Sequence, residues 1–311
     1  MSILITGGKG QVGRELAQLL SNTRIPFAAP GRTELDVTDC DALEAALGGV
    51  AGAPPVSTVI HAAAFTGVDL CEASEEQAFE VNAVATERLA SLCAERGIRM
   101  VHISTDFIFD GAKNTPYEVE DLPNPLNTYG ASKLAAEEAV RRLVPESYIV
   151  RTSWVFGVHG ANFPRVILKA AAAGGPLRVV SDQVGRPTYA RDLAEGILVL
   201  MGTKVPEEGI RRGPLASTPA PVGTYHVCSS DFCSWFEFAQ EIVRQAGWRI
   251  PVEPISSNEL ARPAQRPLYS VLSLKTIEAR GLTPRSWQEA LSVFLEQLRP
   301  LAPELFPNGG I

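Results

Sequence analysis

The feature that most constrains this chain is its opening, where the apolar run "ILIT" (3–6) ends in "GGKGQVG" and a helix-like stretch follows at once. Gly7, Gly10 and Gly13 therefore stand between a strand and a helix. Glycine there lets the backbone turn sharply, approach a ligand closely and pack helix against strand, while the helix N-terminus favours negative charge. The same alternation recurs further on. Strands are expected over 3–6, 26–29, 58–62, 100–104 and 148–152, and the segments 10–22, 39–49, 74–97 and 127–143 carry apolar residues at helical spacing. Short strands alternating with longer helices predict an α/β fold with a doubly wound parallel sheet, whose ligands sit beyond the carboxyl ends of the strands.

After Thr152 the alternation weakens, and proline and glycine punctuate shorter elements. The expected division is a Rossmann-type dinucleotide-binding domain over 1–153, rejoined by part of 188–228, and a smaller interleaved α/β substrate-binding domain over 154–311. The proline- and glycine-rich segment 203–223 reads as an exposed mobile loop. No internal repeat or long low-complexity tract is present. With 311 residues, 45% of them hydrophobic, the chain can bury a full core. Its net charge of −7 leaves no basic stripe for phosphodiesters, which argues against a nucleic-acid partner. The first strand begins too early for a leader, and no apolar run reaches the ~20 residues needed to cross a bilayer. A cytoplasmic protein with no membrane partner is expected. The five cysteines are scattered without C-x-x-C spacing and read as reduced, with Cys93 on an apolar helix face.

The glycine spacing is G-x-x-G-x-x-G, which resembles the extended short-chain dehydrogenase/reductases. Gly7, Gly10, Gln11, Val12 and Gly13 are then the candidate cofactor-binding loop. The second strand lacks the acidic residue that accepts a ribose 2′-hydroxyl and is followed instead by "AAPGRTELDVTD". Arg32 offers a partner for a 2′-phosphate, which points to NADPH with NADH as the alternative; a solvated surface charge is the other reading. The resemblance places Asp36 and Val37 against the adenine. Ala62, Ala63 and Ala64 leave room in the crevice for ribose and diphosphate, although alanines also fill packed strand ends. His61 reads as a buried strand residue.

In "NTYGASKL", Tyr129 and Lys133 are four residues apart, on one helix face. A free phenol near pKa ~10 exchanges protons poorly at neutral pH, and a neighbouring ammonium lowers that value. The same lysine can also hold ribose hydroxyls. About two dozen residues upstream, "VHISTDFIFDG" sets Ser104 and Thr105 at a strand end, where a hydroxyl can meet a substrate carbonyl. Thr105, Tyr129 and Lys133 resemble the catalytic Ser/Thr, Tyr, Lys set of short-chain reductases, with Ser104 structural. Asn82 either steadies the active-site backbone or bends its helix.

Further stretches, "LDVTD", "AAAFTGVDLCE", "VNAVAT", "STDFIFDG", "RTSWVFG", "SDQVGRPT" and "RPLYSVL", run in the order found in the dTDP-4-dehydrorhamnose reductases, over nearly the whole chain. The resemblance implies NADPH-dependent reduction at C4 of dTDP-4-dehydro-L-rhamnose, giving dTDP-L-rhamnose. It implies that Asp106 and Trp154 face the sugar, that Gln183, Gly185 and Pro187 line the nucleotide, and that Arg262 and Arg266 meet the diphosphate. Trp154 in the core and arginines on the surface are the plainer readings. Phe107 departs from the family's second tyrosine and removes a hydroxyl from the expected sugar site. Some relatives bridge subunits with magnesium. Glu15 fits one ligand, but Arg191 stands where an acid is needed, so no metal is expected in a monomer or homodimer. Two alternatives remain: another nucleotide-sugar reductase or epimerase, and a non-catalytic NADP-binding regulator similar to the methionine adenosyltransferase β subunit.

Overall fold

Six strands pair side by side in a single parallel sheet in the computed structural model, which describes residues 2–49 and 54–307. Five are β1 (Ile3–Thr6), β2 (Phe27–Ala28), β3 (Thr58–His61), β4 (Arg99–Thr105) and β5 (Tyr148–Thr152). The sixth, Gly223–His226, comes from far along the chain and pairs with β5, giving the order Gly223–His226, β5, β4, β3, β1, β2. The α/β fold expected from the alternation is the one observed. β1, β3 and β5 are buried throughout, which is why they read as continuous apolar runs rather than alternating ones.

The helices are α1 (Gln11–Ser21), α2 (Cys40–Leu47), α3 (Val68–Ala73), α4 (Glu75–Phe79), α5 (Ala85–Glu95), α6 (Thr128–Leu143), α7 (Phe163–Ala173) and α8 (Ala190–Leu200), with two further long helices, Trp235–Ala246 and Trp287–Leu298. On one face of the sheet, Leu16 and Leu20 of α1 share a core with Leu193 and Ile197 of α8. On the other, Leu43 of α2, Leu89 and Cys93 of α5 and Val140 of α6 form a second core. The smaller lobe has its own core around Phe156, Phe238, Trp287 and Phe294 and a parallel pair, Leu177–Val180 with Val252–Ile255. Capping boxes at Ser234/Glu237 and Ser286/Glu289 start its two long helices. All five cysteines are free thiols.

Two expectations about chain geometry are corrected. The helix expected over 74–97 is interrupted by a π-helical turn, Glu80–Val84, between α4 and α5, and α3 precedes it. The segment 203–223, expected to be a mobile loop, is tied down. Its strand Ile210–Arg212 pairs antiparallel with Leu282–Pro284, and Val205, Ile210 and Ala220 are buried. Glu195 of α8, fully buried, accepts from the backbone N–H of Gly209 at 2.8 Å and from Arg212 at 2.5 Å. A buried carboxylate must find donors, and this segment supplies them.

Candidate active site

The turn after β1 is built for a close ligand. Gly7 has φ +68°, and a Cβ on it would stand 2.7 Å from the Ala63 backbone nitrogen. A Cβ on Gly13 would meet Gly7 O at 2.3 Å, so helix and loop touch through bare backbone. Gly10 caps α1 without a side-chain hydrogen bond, and the first turn has no acidic residue, which leaves its N–H groups to an external anion. Beside this turn lies a cleft of about 290 Å³. Of the expected cofactor residues, Gly7, Gly10, Arg32, Asp36, Val37 and Ala62 to Ala64 line it; Leu35, Phe65 and Lys9 were not anticipated. The apolar walls and free donors fit a dinucleotide. Gln11 instead accepts from Asn162 Nδ2 at 2.9 Å, and Val12 packs on the core. Arg32 Nε lies 3.5 Å from Asp36, whose carboxylate also accepts from the N–H and hydroxyl of Thr38; those bonds lower its pKa.

Tyr129 stands one residue into α6, which Asn127 caps by accepting from Gly130 N at 2.8 Å. Gly130 lets the helix touch the turn after β4, because a Cβ there would sit 2.1 Å from Phe107 O. The Thr105 hydroxyl, at the carboxyl end of β4, lies close enough to the phenol to favour its ionised form. It also donates to Asp106 Oδ1 at 3.1 Å and accepts from Phe107 N at 3.2 Å. Asp106 was expected to face the sugar and does not. It is 2% exposed, and its second oxygen accepts from Ser270 Oγ at 2.5 Å, so its carboxyl is turned inward behind Thr105. Burial raises its pKa to about 7.

Lys133 is seated against β4, with two of its three ammonium donors committed to groups of that strand. Its ammonium, 2% exposed, donates to Ile103 O at 2.7 Å and lies 3.2 Å from His102 Nε2. Burial lowers its pKa to about 8, opposed by Glu137 one turn further along α6. Tyr129 keeps an accessible surface but its phenol is deep in protein, and burial pushes its pKa up rather than down. The expected lowering by the ammonium is therefore corrected, since desolvation dominates here and Thr105 is what opposes it. Asn82 ties backbone near the site rather than bonding within its own helix. From the π-helical turn, its Oδ1 accepts from Phe65 N at 2.7 Å while its Nδ2 donates to Phe65 O and to Ser132 Oγ, each at 3.0 Å, tying the loop after β3 to α6. His61 is a buried strand residue, held between the hydroxyls of Thr6 (2.7 Å) and Thr86 (3.0 Å).

The residues expected around the sugar nucleotide are spread more widely. Trp154, with φ 48°, stacks on Trp235 at a ring distance of 3.5 Å and covers Gly185, where a Cβ would hit the indole at 2.5 Å. Pro187 is buried, and Gln183 donates to Ser257 Oγ at 2.8 Å. Arg266 is paired with Asp69 of α3, and Arg262 beside it is exposed. Arg191 lies 3.6 Å from Glu15 and 2.8 Å from Glu208, and no cluster of three or more metal-ligating side chains occurs among the described residues. Ser270, Asp69 and His102 were not foreseen. Their partners are 164, 197 and 31 residues away, so no local pattern announces them.

A parallel sheet with a glycine-rich first turn, and a threonine, tyrosine and lysine gathered at the end of its fourth strand, defines an oxidoreductase of the extended short-chain dehydrogenase/reductase type. The chain belongs to the family described as the RmlD substrate binding domain, which matches residues 1–299. It is 38% identical over 295 residues to the dTDP-4-dehydrorhamnose reductase of Mycolicibacterium smegmatis, covering 93% of this chain and 83% of that one. It is 36% identical to a dTDP-4-keto-6-deoxy-D-glucose reductase of Streptomyces niveus, covering 93% and 94%. The crystal structure of the dTDP-4-dehydrorhamnose reductase of Bacillus anthracis in complex with NADP superposes with a TM-score of 0.85 at 33% identity, covering 95% of this chain and 99% of that one.

Proposed function

We infer that the protein reduces the C4 ketone of dTDP-4-dehydro-L-rhamnose with NADPH, giving dTDP-L-rhamnose for cell-envelope polysaccharide. The observation that carries this reading is the placing of Thr105 at the end of β4 and Tyr129 at the start of α6, edge-on to Phe107, in a chain aligned almost end to end with reductases of that name. Residues 1–153 with part of 188–228 would hold the cofactor, and 154–311 the sugar nucleotide. When bound, NADPH supplies the hydride. The chain's own residues handle the oxygen: Thr105 turns its one hydroxyl proton from Asp106 to the carbonyl, and Tyr129 gives its proton to the forming alkoxide. A phenol whose pKa burial has raised is reliably protonated at neutral pH, and an alkoxide is basic enough to take that proton. Lys133 faces the cofactor side, Trp154 and Gly185 the sugar, and Arg262 and Arg266 the diphosphate. The enzyme would work as a monomer or homodimer in the cytoplasm; no helix among the described residues is long and apolar enough to cross a membrane.

The test is NADPH oxidation on enzymatically made dTDP-4-dehydro-L-rhamnose, by wild type and Tyr129→Phe. Stoichiometric oxidation is expected from wild type, with turnover reduced by about 10²-fold or more in the variant and NADPH binding kept. Wild type that oxidises no NADPH with this sugar would sink the reading. A second sugar calls for the same assay, because Phe107 stands edge-on to Tyr129 at 6.0 Å where the family has a hydroxyl, and the Streptomyces niveus relative is named for the 6-deoxy-D-glucose ketone.

A further inference from the structure

We propose that His102 is the positioning residue of the active-site lysine: its Nε2 lone pair and the Ile103 carbonyl form a two-point seat that leaves one Lys133 N–H to face the cofactor. The inference rests on the reading of Lys133 given above. A lysine ammonium has three donors and no acceptor. Two of the three are satisfied by neighbouring groups of one strand, at 2.7 Å (Ile103 O) and 3.2 Å (His102 Nε2). Both side chains are shut away from water, with Lys133 2% and His102 0% exposed. In such surroundings an ammonium keeps its proton only while its donors are met.

The imidazole can play this part only if it is neutral, since a protonated ring has no lone pair to offer. Burial, followed by the positive charge of Lys133, holds His102 well below its ordinary pKa. The ring proton therefore sits on Nδ1, which has no hydrogen-bond partner among the described residues. An apolar residue would be buried more cheaply at this strand position, so what the imidazole adds is the acceptor. The register explains how it is held. Thr6, His61 and His102 occupy adjacent positions across β1, β3 and β4, and the two imidazoles stack at 5.6 Å with their planes 25° apart. His61, fixed by Thr6 and Thr86, backs His102 as a wall. The charged and titratable groups around the seat are His61 from β3, Glu137 and Arg141 from α6 itself, and, through Glu137, Arg151 from β5. Arg151 binds Glu137 through both carboxylate oxygens, which moderates that carboxylate's pull on Lys133.

The test compares His102→Leu, which removes the acceptor, with His102→Gln, which keeps an amide oxygen. NADPH binding is read by nucleotide fluorescence, and the pH dependence of kcat is measured in parallel. In the leucine variant NADPH affinity should fall about tenfold, and the alkaline limb of kcat should move down by about one pH unit relative to wild type. Glutamine should recover most of both. Should the leucine variant fail to fold, His102→Asn, whose amide is too short to reach Nζ, takes its place with the same expectation. Wild-type affinity and an unmoved limb without the acceptor overturn the proposal, as does a glutamine variant as impaired as the leucine one. Because the binding readout uses NADPH alone, a wrong choice of sugar does not alter the outcome for His102.

Discussion

Arg266 holds Asp69 by both ends of its guanidinium, Nη1 to Oδ1 at 3.0 Å and Nη2 to Oδ2 at 2.7 Å, across 197 residues of chain. Asp69 also accepts from the backbone N–H of Ala264 at 3.2 Å, and Asn127, the cap of α6, donates to Gln265 O at 2.8 Å. The short stretch 264–266 of the late chain is thereby strapped to α3 and to α6, the helix that carries the phenol. The fork geometry of arginine is what allows it, because a single ammonium cannot meet both carboxylate oxygens in line. Arg266→Lys is therefore expected to raise KM for the sugar nucleotide by about tenfold while NADPH binding stays put. An unmoved KM in steady-state assays would take Arg266 off the substrate side.

Arg32 is largely exposed at the rim of the cleft, beside Asp36. A guanidinium matches the charge of a 2′-phosphate better than a neutral 2′-hydroxyl. Arg32→Ala should weaken NADPH by about tenfold or more and leave NADH nearly unchanged. Titrating both cofactors decides the matter, and equal losses would refute the phosphate role.

Gly130 is where α6 touches the turn carrying Phe107, and the obstacle to a Cβ is a backbone oxygen 2.1 Å away, which cannot swing aside. Gly130→Ala should force the helix start off that turn, at a cost of about 1–3 kcal/mol in urea unfolding. Tyr129, the preceding residue, moves with it, so kcat should fall further than stability alone explains. An alanine variant with wild-type stability and kcat would show that the contact is not restrictive.

Burial holds His61 and His226 neutral, each lowered from 6.5 to about 3, His61 with help from Lys133 and His226 from Arg151. Their depressed pKa values mean that the unfolded chain takes up protons the native chain refuses. The stability they support is complete above 6.5 and is lost as pH falls towards 3, at about 1.4 kcal/mol per pH unit for each proton. His61→Gln should flatten the acid slope of urea-measured stability by close to one proton's worth over that window. An identical slope would mean that His61 binds protons equally in both states.

How much of this was legible in the sequence depends on the range of the interactions concerned. Strands β1 to β5 and helices α1, α2 and α6 follow from periodicity and turn residues, which act over a few positions, and the glycine turn is read the same way. The π-helical turn at Glu80–Val84 is different in kind: Asn82 in it binds Phe65 of another loop, and nothing in "EVNAV" announces a partner 17 residues back. The segment 203–223 has loop-like composition, yet the buried charge of Glu195 organises it. Thr105, Tyr129 and Lys133 were recognisable as a set, but the direction in which the lysine points was not. Spacing of four fixes a helix face, and the competition between His102, Ile103 and Tyr129 for one ammonium is settled only by tertiary packing.

The strand Gly223–His226 lies against β5, yet about seventy residues, about half of them in a different lobe, separate the two in the chain. A ribosome must release most of the polypeptide before the six-stranded sheet can be closed, so that half cannot mature first and wait for the other. Cutting the gene at the apparent boundary after Ser153 would strand β5 with a naked edge. The two lobes are one translational unit, and any attempt to borrow the six-stranded module alone has to bring that distant strand along.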